Sequence, residues 1–337
     1  MIVCGVYTLA LVVYLVLRLA FGDGFWWLGL LNTFAHLLFL PLLVFFPLAL
    51  LIRARGAALR LLPLIVVAGL WFGPYYLPKT PALASNAVIR ILTFNIWGDN
   101  QRLEDAEAWM LQTDADVILL QEIPESYSTN GVPALLTAYP YQFMQGLDVR
   151  VWGNAVLSRY PFVDTENFDL EGDGTPSHQR VALDLGGKTI ALYNIHLLMR
   201  MEVEPHFYLP INNPFLNMAL RYDDKPRNQQ IERLLPLLEN EAHPFIAAGD
   251  FNTSDQSIMY GRLAAQMGDS FREAGMGLGG SWPIPVLGEL PNFLPPIFRI
   301  DYIWHSDQFQ AVNAQVGPRL SSDHLPLLVT LAFQPSA

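Results

Sequence analysis

Two hydrophobic patterns divide the chain near Pro78. Before it, apolar residues run almost without interruption. The first stretch is Ile2 to Leu17, extended by Leu19 to Phe21. The second is Phe25 to Ile52, broken only by Asn32, Thr33, His36, Pro41 and Pro47. The third is Leu61 to Leu77. A helix needs about 20 residues to cross a bilayer, and a soluble helix must show water a polar face. These stretches have no such face, so they predict a transmembrane region of about three helices over residues 1–78. A cleaved signal peptide does not fit the first stretch, which lacks a basic leader and a clear small-residue cleavage site. Trp71, Tyr75 and Tyr76, near one end of the third stretch, suit the headgroup level.

After a short linker at 79–87 the pattern changes to brief apolar runs separated by turn signals. Strands are predicted over Val88–Phe94, Val117–Leu120, Asn154–Leu157, Val181–Leu185, Thr189–Ile195, Phe245–Ala248, Asp301–Trp304 and Leu327–Leu331. Leu103, Ala106 and Met110 have helical spacing. So do Ile231, Leu234, Leu235 and Leu238, although Pro236 is expected to strain or end that helix. Strands outnumber helices and several are apolar throughout, which predicts two packed sheets flanked by helices. Leu197–Arg227 and Trp282–Phe298 break the rhythm, and unstructured stretches this long in compact domains are often functional.

Composition sharpens the division. The chain is 52% hydrophobic and only 15% charged, against about a quarter charged in a typical soluble domain. Residues 1–78 hold only Arg18, Asp23, Arg53, Arg55 and Arg60, a net of +3. The whole chain carries −11, so the remainder carries −14. Disorder is excluded, and the single cysteine, Cys4, excludes a disulfide scaffold. An acidic domain is also a poor candidate for gripping nucleic acid by charge alone. Arg53, Arg55 and Arg60 fall between the second and third stretches, which makes that loop cytoplasmic by the positive-inside bias. The polar domain then lies outside the cytoplasm, on a plasma-membrane protein. Arg18 speaks for the reverse, and a re-entrant second stretch would invert the orientation.

Polar residues gather where the apolar runs stop: Asn95, Glu122, His196, Asp250 with Asn252, Asp301, and Asp323-His324. Any one of them could merely cap a turn, but the set recurs at the mouth of one strand after another. In order and local sequence the set resembles the endonuclease/exonuclease/phosphatase superfamily. The matching pieces are Leu-Thr-Phe-Asn-Ile (92–96), Leu-Leu-Gln-Glu (119–122), Gly-Asn-Ala-Val-Leu-Ser-Arg-Tyr-Pro (153–161), Asn-Ile-His (194–196), Gly-Asp-Phe-Asn (249–252), Arg-Ile-Asp-Tyr-Ile (299–303) and Ser-Asp-His (322–324). The resemblance covers residues 88 to about 333.

The resemblance implies an α/β fold, the four-layer α-β-β-α sandwich of DNase I-like proteins, in a domain spanning 88–333. It also implies a metal-dependent hydrolase of phosphoric esters. Glu122 would be the principal metal ligand with Asn95 and Asp323 near it, and the hard oxygens suit Mg²⁺, with Mn²⁺ as a substitute. Asp250 would orient or deprotonate the attacking water and Asn252 would hold water or a phosphate oxygen. His324 would donate to the phosphate, Asp301 would fix its tautomer, and His196 would contact the phosphate or assist the leaving group. These types fit the chemistry, since attack on an anionic ester needs positive charge concentrated at the phosphate. Trp97 stands where some nucleases carry an acidic residue, which puts a second ion in doubt. Ser281-Trp282 resembles a family element that precedes the Ile-Asp-Tyr motif, and reads equally well as a packed loop. Arg159 and Arg180 are better read as structural ion pairs than as phosphate ligands.

The expected substrate is a phosphodiester or phosphomonoester, of a membrane lipid or lipid-linked headgroup, and membrane lipids are the expected surroundings. A nuclease is the alternative within the class, disfavoured by the acidic charge. A catalytically silent, membrane-tethered binding module is the alternative outside it, and would show a lost ligand or base.

Overall fold

A computed structural model describes residues 2–79, 88–100, 102–124, 133–145, 153–172, 174, 177–201, 205–206, 214–285 and 293–334. Most of the expected linker, and Phe207, Tyr208, Leu209, Ile211, Val286, Leu287 and Leu290 of the two irregular stretches, lie outside the described residues. The chain forms two compact units. One comprises Met1–Pro78, Arg200–Asp224 and Ser254–Gly261, and the other comprises Lys79–Met199, Lys225–Thr253 and Arg262–Ala337. The division therefore does not fall at residue 78 alone: two segments from within the expected 88–333 domain belong with the N-terminal helices.

The apolar unit contains α1 (Ile2–Phe21), α2 (Trp26–Thr33), α3 (Ala35–Phe39), α4 (Leu42–Leu51) and α5 (Arg55–Phe72), followed by a 3₁₀ turn over Gly73–Tyr76. Ile2–Phe21 and Arg55–Tyr76 are long and apolar enough to cross a membrane, with mean hydropathies of 2.3 and 1.8. Between them, Trp26–Thr33 and Ala35–Leu51 form a pair bent by 69°, the shape of either a broken third span or a re-entrant loop. Leu11, Leu28, Leu42, Leu61 and Leu64 pack together inside, while Leu19, Leu43, Leu51 and Leu70 point outward. The helices are therefore apolar on both their inner and their outer faces.

The second unit is built on two mixed six-stranded sheets. The first contains β1 (Val88–Asn95), β2 (Val117–Ile123), β3 (Tyr141–Met144), β4 (Gly153–Ser158), β13 (Phe309–Val316) and β14 (Leu327–Phe333), in the order β13-β14-β1-β2-β4-β3. The second contains β5 (Phe162–Phe168), β6 (His178–Asp184), β7 (Thr189–His196), β10 (Phe245–Asp250), β11 (Gly268–Asp269) and β12 (Asp301–His305), in the order β11-β12-β10-β7-β6-β5. The short β8 (Arg200–Met201) and β9 (Tyr222–Asp223) pair separately in the first unit. Helix α6 (Leu103–Gln112) sets Ala106 and Met110 against Leu92, Phe94, Ile118 and Leu120 on the outer face of the first sheet. Helices thus flank two sheets, as the apolar pattern predicts.

All eight expected strands form. Among the additional ones, β5 is a largely exposed edge strand whose Asp164, Thr165, Glu166 and Asn167 give no apolar run to detect, and β13 is an edge strand interrupted by Asn313. Pro236 does not end its helix, which runs through it from Lys225 to Glu239. Pro236 forgoes a single backbone hydrogen bond, while Ile231, Leu234, Leu235 and Leu238 are all buried along one side. Burial of four such side chains at about 1.5–3 kcal/mol each outweighs the roughly 3 kcal/mol proline penalty.

Period-two alternation explains what lies between the sheets. Ile89 and Ile91 of β1, Val117 and Leu119 of β2, Ile190 and Leu192 of β7, Ile246 and Ala248 of β10, and Ile303 of β12 share one buried cluster. Two residues further along the same faces the chemistry turns polar: Thr93, Gln121 and Asn194, with Gln179 from β6. Gln121 Nε2 donates to Asn194 Oδ1 at 2.6 Å and to Thr93 Oγ1 at 3.1 Å. Asn194 Nδ2 donates to the Leu120 and Ala155 carbonyls of the opposite sheet at 3.0 and 3.1 Å, and to Gln179 Oε1 at 3.0 Å. One fully buried amide thus ties both sheets together.

Because several buried partners depend on it, Asn194→Ala should cost about 2–4 kcal/mol of stability. Denaturant unfolding of the full chain in detergent will measure this, and a loss below about 1 kcal/mol would show that the network is dispensable.

Candidate active site

The strand faces that begin in the core and pass through the polar layer end in ionisable side chains. On β1 the sequence of inward positions is Ile89, Ile91, Thr93, Asn95; on β7 it is Ile190, Leu192, Asn194, His196; on β10 it is Ile246, Ala248, Asp250. Register then aligns them. Asp250 lies opposite His196 on one neighbouring strand and opposite Asp301 on the other, which places three site residues in one row.

Glu122 breaks the alternation, since it follows Gln121 and by period should face away. Its φ of +54° and the register irregularity between Leu120 and Ile123 turn it back. A bulge at a strand end is a common means of re-aiming a side chain. Gly249 supplies the other special geometry: at φ +141°, a Cβ there would sit 1.9 Å from the Ile195 carbonyl oxygen, so only glycine lets β10 lie this close to β7.

The side chains interlock. Asn95 Nδ2 donates to Glu122 Oε1 at 3.0 Å and to Asp250 Oδ2 at 3.1 Å, and its Oδ1 accepts the Trp97 N–H at 3.1 Å. Trp97 adopts φ +61°, and Gly98 N–H reaches Glu122 Oε2 at 3.4 Å. His196 Nε2 lies 3.5 Å from Glu122 Oε1 and 3.9 Å from Asp250 Oδ2. The Asn252 backbone N–H donates to Asp250 Oδ1 at 2.8 Å, and its side-chain amide donates to the Leu197 carbonyl at 2.8 Å and to Asp250 Oδ2 at 3.3 Å. His324 Nδ1 meets Asp301 Oδ2 at 2.9 Å, while its Nε2 lies 3.6 Å from Asp250 Oδ2. Asp323 accepts from the Trp282 indole at 3.1 Å and sits near enough to feel the charges of Glu122 and His324. The structure thus gathers all eight residues singled out in the sequence.

Further residues support the site, of which Ser281, Trp282 and Ser322 belong to motifs singled out in the sequence and His178 does not. Ser281 Oγ accepts from the Ile300 and Asp301 backbone N–H groups, so Ser281 and Trp282 both serve the site. Ser322 Oγ donates to the Asn95 carbonyl at 2.7 Å and accepts the His324 N–H at 3.0 Å. His178 is fully buried and its Nδ1 accepts the His196 N–H at 3.2 Å, a contact between strands that no local motif announces. Arg159 pairs with Asp114 and Arg180 with Glu241, as the structural reading of both arginines expects.

Burial and neighbours push the titrating groups apart. Burial raises the Asp250 carboxyl to about 8, against the pull of His324. For His324 burial opposes the charged form, but Asp301 and Asp250 outweigh it and lift the imidazole to about 10. Burial lowers His196, against the attraction of Glu122 and with the repulsion of His324. Near neutral pH, one imidazole is therefore a cation and the other a neutral base. Burial also raises Asp323, with His324 and the Trp282 indole acting the other way.

The residues fit a divalent cation. Four carboxylates converge here, burial holds Asp250 and Asp323 above the usual carboxylate range, and Asp301 Oδ1 is buried without a hydrogen-bond partner. Oxygens of Asp250 and Asp301 and a nitrogen of His324 lie within 4.8 Å of one another. That trio is nevertheless the weaker candidate, because Asp301 and His324 already satisfy each other. Glu122 and Asp323 add further hard-oxygen donors at the same strand ends, while Asn95 turns its Nδ2 to Glu122 and Asp250 and its Oδ1 to the Trp97 N–H.

Two mixed sheets flanked by helices, with an acid–base cluster and hard-oxygen donors at the strand ends, define a hydrolytic centre on a DNase I-like sandwich. Residues 92–324 match the Endonuclease/Exonuclease/phosphatase family, and the chain belongs to it. It is accordingly a metal-dependent hydrolase of phosphoric ester bonds. Solved structures share the fold at low identity. An endonuclease/exonuclease/phosphatase from Bacteroides vulgatus superposes with a TM-score of 0.57 at 17% identity, covering 74% of this chain and 100% of its own. A functionally unknown conserved protein from Enterococcus faecalis gives 0.56 at 16%, covering 73% and 100%. D. rerio TDP2, complexed with a single-strand DNA product, gives 0.56 at 17%, again covering 73% and 100%. No curated protein matches the chain in sequence.

The raised groups set a pH dependence of stability. Asp250 has an ordinary value of 3.8 and about 8 when folded, so its contribution is complete below 3.8 and is lost as pH rises through 8. His324 goes from 6.5 to about 10, so its contribution is complete below 6.5 and is lost as pH rises through 10. Both act in the same direction. With EDTA present, the thermal midpoint should fall steadily between pH 6 and pH 9, Asp250→Asn should flatten the part below pH 8, and added Mg²⁺ should restore the midpoint. A midpoint that rises with pH across this window would contradict the assignment.

Proposed function

We propose that the protein is a membrane-anchored, Mg²⁺-dependent phosphoesterase whose catalytic unit lies outside the cytoplasm and whose substrate is a phosphodiester or phosphomonoester of a membrane lipid or lipid-linked headgroup. The observation that carries the reading is the placement of Asp250, which receives Asn95 and Asn252 on its oxygens and faces an imidazole held by Asp301.

In this reading Asp250, as the carboxylate, orients the attacking water and takes its proton. Asn252 fixes both oxygens of that carboxylate and holds water or a phosphate oxygen. Asp301 keeps the proton on His324 Nδ1, which leaves the Nε2–H of the imidazolium to donate to a phosphate oxygen as charge grows there. Neutral His196 contacts the phosphate or assists the leaving group through a hydrogen bond, with no proton of its own to transfer. Glu122 and Asp323, with Asn95, would hold a Mg²⁺, which would supply Lewis-acid neutralisation of the phosphate.

Support for the membrane comes from the apolar unit itself. The Arg53–Arg55 loop joins α4 and α5, and Ala49, Ala57 and Ala58 beside it pack with Cys4 near the start of α1. At the other ends of α1 and α5, Asp23 and Tyr75 both reach the segment 256–258. Three passes would put the arginine loop on one side and the exit at Pro78 on the other. Phe293 is 82% exposed and Leu294 38%, in the proline-rich stretch that leads into Asp301. An exposed apolar pair there suits contact with an acyl or interfacial surface.

Glu122→Gln, Asp250→Asn and His324→Ala should each lower turnover by about 10²–10⁴-fold without unfolding the chain, and the losses should not add, because all three act on one transition state. Only the first should strongly weaken Mg²⁺ binding. The substrate panel is vesicle-borne lipid, bis(p-nitrophenyl) phosphate and single-stranded DNA. Phe293→Ser with Leu294→Ser should reduce lipid hydrolysis far more than hydrolysis of the small diester. Strong DNA cleavage with no lipid turnover would replace the lipid reading with the nuclease one.

Orientation is measured separately with alkaline phosphatase fusions in a bacterial host. A fusion after Pro78 should be active and one after Arg55 silent, with the reverse pattern placing the catalytic unit in the cytoplasm.

A further inference from the structure

Arg18 and Asp23 are the only charged residues among the first 52. An ionised side chain at the end of an apolar helix is costly unless it is partnered. Neither points to water alone. Arg18, in the last turn of α1, donates through Nη2 to the Gln256 carbonyl at 2.7 Å, and its guanidinium lies 4.7 Å from the centre of the Trp71 ring. Asp23, in the turn after α1, accepts the Ile258 N–H at 2.6 Å through Oδ2 and the Asn32 Nδ2 at 2.5 Å through Oδ1. Asn32 is fully buried and also donates to the Gly22 carbonyl at 3.0 Å. Tyr75, beyond the end of α5, meets the buried Gln256 side chain at 3.5 Å.

Both charges are therefore committed to backbone groups of one short segment, a carbonyl at 256 and an N–H at 258. The grip is specific. A donor and an acceptor of opposite charge, anchored three and two residues on either side of Phe21, hold two points of the segment, and Gly22 sits at φ +57° where an added Cβ would come within 2.7 Å of Ile258. A second segment is held similarly: Trp26 stacks on His206 with ring centres 4.1 Å apart and planes 15° apart.

The covalent chain gives this grip its meaning. Ser254 follows Asn252 by two residues and Asp250 by four, and Arg200 follows His196 by four. Both segments taken up by the apolar unit thus leave directly from strand ends that carry the hydrolytic residues. Asn252 itself holds a left-handed φ of +47° and positions both oxygens of Asp250. A displacement at residue 256 has only three residues over which to die away before it reaches Asn252.

We propose that Arg18 and Asp23 are positioning residues of the hydrolytic site. By fixing 256–258 they hold the short tether to Asn252 and Asp250, so that assembly of the N-terminal helices sets turnover. The N-terminal region is then an integral part of the catalytic machinery as well as an anchor. It also accounts for Arg18, the arginine at odds with the positive-inside pattern, because its charge has a structural partner. The inference rests on the hydrolase reading of the strand-end cluster.

The test uses the full chain in detergent with Mg²⁺. Arg18→Met and Asp23→Asn are compared with wild type, with the conservative Arg18→Lys, and with Arg53→Gln as a control at the other end of the helices. Turnover of bis(p-nitrophenyl) phosphate and amide hydrogen exchange over residues 249–258 are both measured. Arg18→Met and Asp23→Asn should lower kcat by about 10- to 100-fold, the effect of a small misplacement at a reacting centre, with KM changed less than about threefold. Exchange over 251–258 should rise about tenfold or more while the remaining strands stay protected. Arg18→Lys should recover part of kcat, and Arg53→Gln should match wild type. Unchanged exchange at 251–258 would overturn the proposal whatever the activity. Faster exchange with wild-type kcat would overturn it too, by reducing the grip to a structural role, as would loss of kcat only in step with loss of folded protein. An inactive wild type would instead overturn the hydrolase reading, and this inference with it.

Discussion

The site depends on how the space between the two sheets is filled. Apolar side chains occupy it for most of the strand length, and then a single layer of amides, Gln121, Asn194 and Gln179, takes over. That layer is a transition between a dry core and a charged mouth. Each amide has both donors and acceptors, so it can satisfy carbonyls of both sheets and still present a polar face to the carboxylates beyond. Because Asn194 bonds to backbone of the opposite sheet, the spacing of the sheets is fixed where it matters, one residue pair below His196, Asp250 and Asn95. A purely apolar layer there could slide, and the strand-end row would lose its register.

Above that layer, electrostatics follow from crowding. Carboxylates and imidazoles this close cannot all ionise independently. Burial keeps Asp250 high, the Asp301 carboxylate above all keeps His324 cationic, and the cation on His324 helps keep His196 neutral. Two histidines of identical chemistry acquire different protonation by position, and with it the capacity for different roles. The remaining negative charge is what a divalent ion satisfies. The acidic balance of the domain is therefore compatible with an anionic substrate, since the local sign at the phosphate is set by the ion and the imidazolium and not by the net charge.

The two compact units are interleaved in sequence. Segments that begin within a few residues of His196 and Asn252 are packed with the N-terminal helices, and polar side chains at the helix ends bind their backbone. Loops at strand mouths commonly carry function on a rigid scaffold. Here the partners of those segments are the N-terminal apolar helices, two of which are long and apolar enough to cross a membrane.

The amino-acid sequence by itself determined the change of hydrophobic pattern near Pro78, the eight principal strands, and the set of strand-end residues, but not that segments 200–224 and 254–261 group with the N-terminal helices. Hydrophobic run length and period are local properties, and the seven motifs are each contiguous. It could not place Glu122, whose inward aim contradicts strict alternation and depends on a bulge and a positive φ. It could not decide whether the helix would continue past Pro236, because that depends on how deeply Ile231, Leu234, Leu235 and Leu238 are buried once the chain has folded. Only tertiary structure decided that His178 lies under His196, that Ser322 bonds to Asn95, and that Arg18 and Asp23 grip residues 256 and 258. Such contacts join positions up to 238 apart, and no local pattern encodes which of many polar side chains will meet once the chain has closed.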